Sequence, residues 1–299
     1  MRQLRILLLI FFIATAVVFG IYFIHDRTTS DNKAPVISAP SETIEAGIGV
    51  TEEDLLSGMT ATDNLDGDVT DTLSVTSKSK FIKKGTLVVN YAAFDKNNNV
   101  GTYSRELTYT DYRSPRFRLT SPLCFSTGTG SGDFLKVIEA DDCLDGDITQ
   151  QIKASFGTRT STSAATAKQT VNIQVTNSAG DTAVLELTAE LKDYELYALR
   201  VPALSEYLVY TEKGHQINAR EYISGIWSAG KTTQFKTEGG LNENNVIVRN
   251  NVDADVPGIY TVTYRFSGEE AESTLLVVVD LSSPSPPVFN LSQHQGLFQ

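Results

Sequence analysis

Residues 63–70 read Asp-Asn-Leu-Asp-Gly-Asp-Val-Thr, and residues 142–149 read Asp-Cys-Leu-Asp-Gly-Asp-Ile-Thr, the same element displaced by 79 positions. The repeat extends outward from both copies. Ala34-Pro35 matches Ser114-Pro115, Val89, Tyr91 and Ala93 match Val171, Ile173 and Val175, and both copies close on an aspartate, Asp111 and Asp193. Small drifts around one register are the mark of loop insertions in a tandem repeat. A third, diverged copy lacks the Asp-Gly-Asp element. It retains Tyr222-Ile223-Ser224-Gly225 against Leu55-Leu56-Ser57-Gly58, and a late strand with Tyr260, Val262, Tyr264 and Phe266.

Period-two alternation bounded by turn residues predicts strands throughout. In residues 85–94 (GTLVVNYAAF), Leu87, Val89, Tyr91 and Ala93 share one face; in 258–266 (GIYTVTYRF), Tyr260, Val262, Tyr264 and Phe266 do the same. Each is preceded by Lys84-Gly85 or Pro257-Gly258, and turn residues such as 95–99 (DKNNN) or 177–180 (NSAG) follow the corresponding strands. A further alternating strand ends each copy, with Leu107 and Tyr109, then Leu185, Leu187 and Ala189, then Leu275, Val277 and Val279. The expected fold is therefore all-β: tandem antiparallel β-sandwiches.

The order of 34–37 (APVI), 61–70 (ATDNLDGDVT), Gly85 with its strand and the 95–99 turn resembles the bacterial immunoglobulin-like repeats of cell-surface proteins. A related module occurs in some insecticidal crystal toxins. The first copy matches along nearly its whole length, the second at the Asp-rich loop and final hairpin, and the third only through 256–264 and its last strand. The resemblance implies an Ig-like sandwich at the cell surface, and it carries no shared ligand or catalytic residue.

The N-terminus differs from the rest. Residues 6–24 (ILLLIFFIATAVVFGIYFI) contain no charge, and at about 1.5 Å per residue they form a helix of roughly 28 Å, enough to cross a bilayer. Arg2 and Arg5 precede the span, so the positive-inside rule keeps the N-terminus cytoplasmic and exports the chain beyond Arg27. The competing reading is a cleaved signal peptide, since Ala14-Thr15-Ala16 has the small-x-small form of a cleavage site; cutting there leaves an apolar new N-terminus. Residues 1–33 balance at +2, which leaves −13 on the other 266. That acidity excludes nucleic-acid binding by phosphate neutralisation. The expected organisation is 1–27 cytoplasmic start and signal-anchor helix, 28–33 linker, Ig-like modules at 34–111, 112–193 and 194–281, and a Pro-containing tail at 282–299 expected to be disordered.

Three groups of residues invite a functional reading. Asp63, Asp66, Asp68, Asp142, Asp145 and Asp147 cluster oxygens of the kind Ca²⁺ takes, although the spacing is not that of an EF-hand loop. The alternative is a tight turn in which the aspartates accept backbone N–H groups and glycine takes positive φ. Cys124 aligns near Glu45 and Cys143 replaces Asn64, so both cysteines are extra in the second copy; a disulfide closing the intervening loop is expected, with two free thiols as the alternative. Tyr222, Trp227, Lys231 and Phe235, with Lys236 and Gly239 nearby, suggest a ligand surface on the third module; alternatively Trp227 is core.

His25, His215 and His294 stand beside no nucleophile, and Gly-Thr-Gly-Ser-Gly at 128–132 lacks the Lys and helix of a phosphate loop. No catalytic residue and no cofactor are expected, calcium apart. The function expected is a non-catalytic surface binding or adhesion protein, held in the membrane through residues 6–24 and meeting a protein or glycan partner. A structural subunit of a cell-envelope assembly is the alternative, and a hydrolase the remote third.

Overall fold

The computed structural model describes residues 2–29, 31–235 and 240–280. Residues 236–239, with the expected Lys236 and Gly239, and the tail from 281, with His294, lie outside the described residues. The architecture is all-β: Ig-like antiparallel sandwiches come after one N-terminal apolar helix, Arg2–Thr29. The chain forms two compact units, one from residues 1–82 and 86–110, the other chiefly from 111 onward.

The first unit pairs two sheets. The smaller holds Val36–Ser38, Thr60–Asp63 and Gly67–Asp68. The larger runs Thr43–Ala46, Val100–Tyr109, Thr86–Phe94, Ser74–Lys78. Alternation places Leu87, Val89, Tyr91 and Ala93 inward as expected, each at most 4% exposed, and Leu107 and Ala61 are fully buried as well. The early strand Thr43–Ala46 lies parallel to the last strand, Ile44 opposite Leu107, so the sheet is not wholly antiparallel. Between the two sheets stands a single helical turn, Glu52–Leu56. Thr51 and Asp54 form a capping box at its start, and it buries Leu55 completely.

The second unit repeats this strand order twice. In its first sandwich, Arg116–Leu119 and Ile138–Asp142 form the small sheet with Gly146–Asp147, and Cys124–Ser126 lies parallel to the end of Thr182–Lys192. In its second, Val201–Leu204, Ile223–Ser228 and Lys231–Thr233 form the small sheet, and Leu208–Glu212 lies parallel to Glu272–Asp280. Helical turns Ser131–Val137 and Ala219–Tyr222 occupy the place of Glu52–Leu56. Apolar residues of both sandwiches, Phe117 and Ile173 with Leu208 and Tyr264 among them, belong to one buried cluster.

Two local readings change. Ile223–Ser228 is a strand, so the expected equivalence of Tyr222–Gly225 with Leu55–Gly58 is displaced by several residues: the helical turn before the strand is the element that corresponds. Tyr260 is half-buried rather than inward like its neighbours, because it sits at the strand's end, where its hydroxyl donates to the Val256 carbonyl at 2.8 Å.

Tyr91 and Tyr264 stand fully buried on the penultimate strands and donate their hydroxyls to the helical turns, to the Leu55 carbonyl at 3.3 Å and the Ala219 carbonyl at 2.7 Å. Each bond ties a turn to the sheet across the core. Burial pushes both phenols up from their ordinary value. A phenol whose folded pKa is raised contributes its full stability below the unfolded value near 10 and loses it as the pH rises above that. Tyr264→Phe is expected to lower unfolding stability by about 1–2 kcal/mol at neutral pH, because the Ala219 carbonyl loses its donor, and to weaken the alkaline fall. Denaturant melts at pH 7 and 11 check both.

Candidate functional site

The Asp-rich elements fold as turns, and each of their six aspartates serves the backbone or the neighbouring hairpin. Asp63 Oδ1 accepts the Leu65 and Asp66 N–H groups at 2.8 and 2.9 Å; Asp142 Oδ1 accepts those of Leu144 and Asp145 at 2.9 and 3.1 Å. Gly67 and Gly146 then turn the chain at φ of 77° and 72°, a region L side chains avoid. Asp68 and Asp147 accept the Thr70 and Thr149 N–H groups, and hydrogen bonds from those threonines hold both carboxyls below the usual carboxylate range.

Asp66 and Asp145 reach across to the turn of the late hairpin. Asp66 takes the Lys96 N–H at 2.9 Å and its ammonium at 3.0 Å; Asp145 takes the Ser178 N–H and hydroxyl, both at 2.6 Å. The six calcium candidates thus take the alternative weighed for them, that of turn residues accepting backbone N–H groups. Of the six, Asp63 alone keeps a buried oxygen, Oδ2, without a partner.

That oxygen faces two residues outside the expected set. Asp31, Asp63 and Asp95 are 8%, 5% and 6% exposed, and one oxygen from each lies within 4.8 Å of the others. By sequence Asp31 belongs to a linker and Asp95 to a polar turn. Comparison of the two copies holds a signal for Asp95: positions 95 and 99 are Asp and Asn, whereas 177 and 181 are Asn and Asp.

Cys124 and Cys143 are separate thiols, against the expected disulfide. Cys124 lies in the edge strand of the larger sheet, opposite Glu190, and packs beside the Val201, Ala203 and Trp227 cluster. Cys143 belongs to the turn of the smaller sheet, where its thiol donates to the Arg113 carbonyl at 3.1 Å. The sandwich puts them in different sheets. Burial pushes both thiols up, which keeps them protonated and weakly nucleophilic.

The expected ligand surface is also dispersed. Trp227 is 4% exposed, with its ring edge-on to Tyr197 at 5.4 Å, so it is core. Phe235 is half-buried edge-on to Phe266, and Lys231 is exposed in the strand Lys231–Thr233. Tyr222 lines a different feature, a cleft of about 330 Å³ within the second unit, shared with Arg113, Arg116, Asp141, Glu206 and Tyr210. There the Arg116 guanidinium lies over the Tyr210 ring, 4.9 Å from its centre, and the Tyr210 hydroxyl accepts the Phe117 N–H at 3.1 Å. His215 stands in a turn whose carbonyl accepts the Thr211 hydroxyl.

No family model and no curated protein matches the chain. Solved structures similar to it include CBM51-2 in complex with GlcNAc and INT domains from Clostridium perfringens ZmpB, 15% identical, covering 53% of this chain and 41% of that one at a TM-score of 0.21. The lipoprotein BT2262 from Bacteroides thetaiotaomicron is 11% identical, covering 81% and 98% at 0.19. Human CDH23 EC21-23 is 12% identical, covering 82% and 100% at 0.19. The chain spans less than half of the first of these. Likeness at such TM-scores carries no argument about activity or partner.

Asp142→Ala is expected to lower the stability of the second unit by about 2–4 kcal/mol, since it strands two turn N–H groups and the Asn177 amide. Asp147→Ala, at an exposed turn, should leave the melt nearly unchanged; calorimetry of the two variants side by side tests the contrast. Both cysteines are expected to take up a maleimide after unfolding without reductant, giving a mass increase of two labels.

Proposed function

We propose that this protein is a membrane-anchored, exported binding or adhesion protein whose Ig-like modules, at 34–111, 112–193 and 194–281, project from the cell and act without catalysis. The observation that carries this reading is the helix Arg2–Thr29, whose 19-residue span Arg5–Phe23 is uncharged beyond its first residue and is not buried against the sandwiches. Exposed Ile, Leu and Phe side chains of that length need a hydrocarbon environment. A retained anchor and a signal segment are both served by such a helix. The anchor is favoured here because Arg2 and Arg5 flank it and the Ala14-Thr15-Ala16 site would leave an apolar stub.

A polar cleft with an arginine stacked on a tyrosine suits a glycan or a protein loop, since planar guanidinium and phenol groups offer both donors and a flat apolar face. Its partner is recognised by hydrogen bonding and stacking rather than by phosphate neutralisation, given the acidic ectodomain.

Intact cells treated with protease should lose the sandwiches while the 2–29 segment stays in the carbonate-washed membrane fraction. An N-terminal peptide missing from membrane-purified protein sinks the anchor. For the cleft, Arg116→Ala and Tyr222→Ala should each weaken retention on a glycan array or in crosslinks to an envelope partner by about tenfold, with the fold intact by circular dichroism.

A further inference from the structure

Of the three buried carboxylates in the first unit, Asp31 and Asp63 each keep one oxygen that no donor reaches. Asp31 Oδ1 accepts the Lys33 N–H at 3.0 Å, Asp63 Oδ1 takes two turn N–H groups, and Asp95 takes the Asn99 N–H and side-chain amide at 2.7 and 2.6 Å. The second oxygens of Asp31 and Asp63 are buried with no donor. Among the described residues no ion pair involves any of the three. Three carboxylates converging in a buried corner repel one another and forgo hydration, a cost that a bound cation offsets.

The second unit solves the same corner differently. There Asn177 stands in the place of Asp95 and donates its amide to Asp142 Oδ2 at 3.1 Å, so the oxygen that Asp63 leaves bare is partnered. The Tyr112 hydroxyl, which accepts the same amide at 2.9 Å, donates in turn to Asp181 at 2.7 Å. The displaced negative charge thus sits on Asp181, in the place of Asn99, with the Tyr112 and Ser114 hydroxyls on it.

From this contrast we infer that Asp31, Asp63 and Asp95 form a Ca²⁺ site in the first unit, one the second copy has replaced by an amide. The donors are all oxygen, which suits a hard cation and no thiophilic metal. Two ligands bound at about 2.4 Å to one ion can lie no more than about 4.8 Å apart; the observed spacing of the three oxygens meets that limit. Backbone carbonyls and water complete the six to eight ligands Ca²⁺ takes. Because Asp31 enters the sandwich two residues after the end of the apolar helix, the ion fixes the point at which the chain leaves its N-terminal segment. The inference is independent of the adhesion reading.

Differential scanning calorimetry and isothermal titration on the full-length protein in detergent test it. In 2 mM CaCl₂ against EDTA, one transition is expected to rise by about 5 °C or more, with one ion bound per chain. Asp95→Asn, which installs the amide of the second copy, should abolish the rise and melt in EDTA no lower than wild type. Asp31→Asn, at the edge of the unit, is the second variant and should also lose the ion. An unmoved wild-type melt overturns the site, as does an equal calcium response in wild type and both variants, or a response to Mg²⁺ alone.

Discussion

Each sandwich closes by laying a short early strand parallel against its own last strand, and the rest of the architecture depends on that pairing. Thr43–Ala46, Cys124–Ser126 and Leu208–Glu212 all do so. Once that edge is fixed, the chain must cross to the other sheet. It crosses through a short helical segment of four to seven residues, which presents a buried Leu55, Phe134 or Ala219 to the core. The long final hairpin then supplies most of the inner face. Where a tyrosine is available on it, its hydroxyl locks the turn in place. Contacts so distant in sequence form a cooperative whole only when the core is complete, because each loop closed costs entropy that burial must offset.

The rim of a small sandwich has little room for polar groups without partners. In the first two sandwiches it is organised by one buried aspartate, Asp63 or Asp142, which accepts two backbone N–H groups and leaves its second oxygen facing the final hairpin. A single exchange of Asp for Asn on that hairpin decides whether the oxygen meets a donor. The third sandwich dispenses with the element and turns instead at Ala229 and Gly230, both at positive φ.

The strands were legible because alternation has a period of two and burial acts on it one face at a time. Leu87, Val89 and Tyr91 carry that signal plainly, as do Val262, Tyr264 and Phe266. Trp227 was less legible, since a large aromatic among glycines and amides fits a binding surface and a core equally well by composition. The cysteines misled for a related reason: closeness in sequence and shared novelty do not place two side chains in the same sheet. Asp31 was hidden in a short polar stretch next to the apolar helix, where nothing local distinguishes a linker residue from one that folds back into a rim.

The sequence by itself determined the apolar N-terminal helix, the strand repeat, the turns at Gly67 and Gly146 and the acidic character of the chain beyond the helix. Each is a local property, set by hydropathy, periodicity or the φ a residue tolerates. Only the tertiary structure decided which carboxylates meet, because Asp31, Asp63 and Asp95 lie about thirty residues apart and converge through sheet pairing rather than spacing. It also decided that Cys124 and Cys143 stay apart and that Trp227 is core. Side-chain chemistry is written in the residues, but which groups lose water together depends on how the two sheets close.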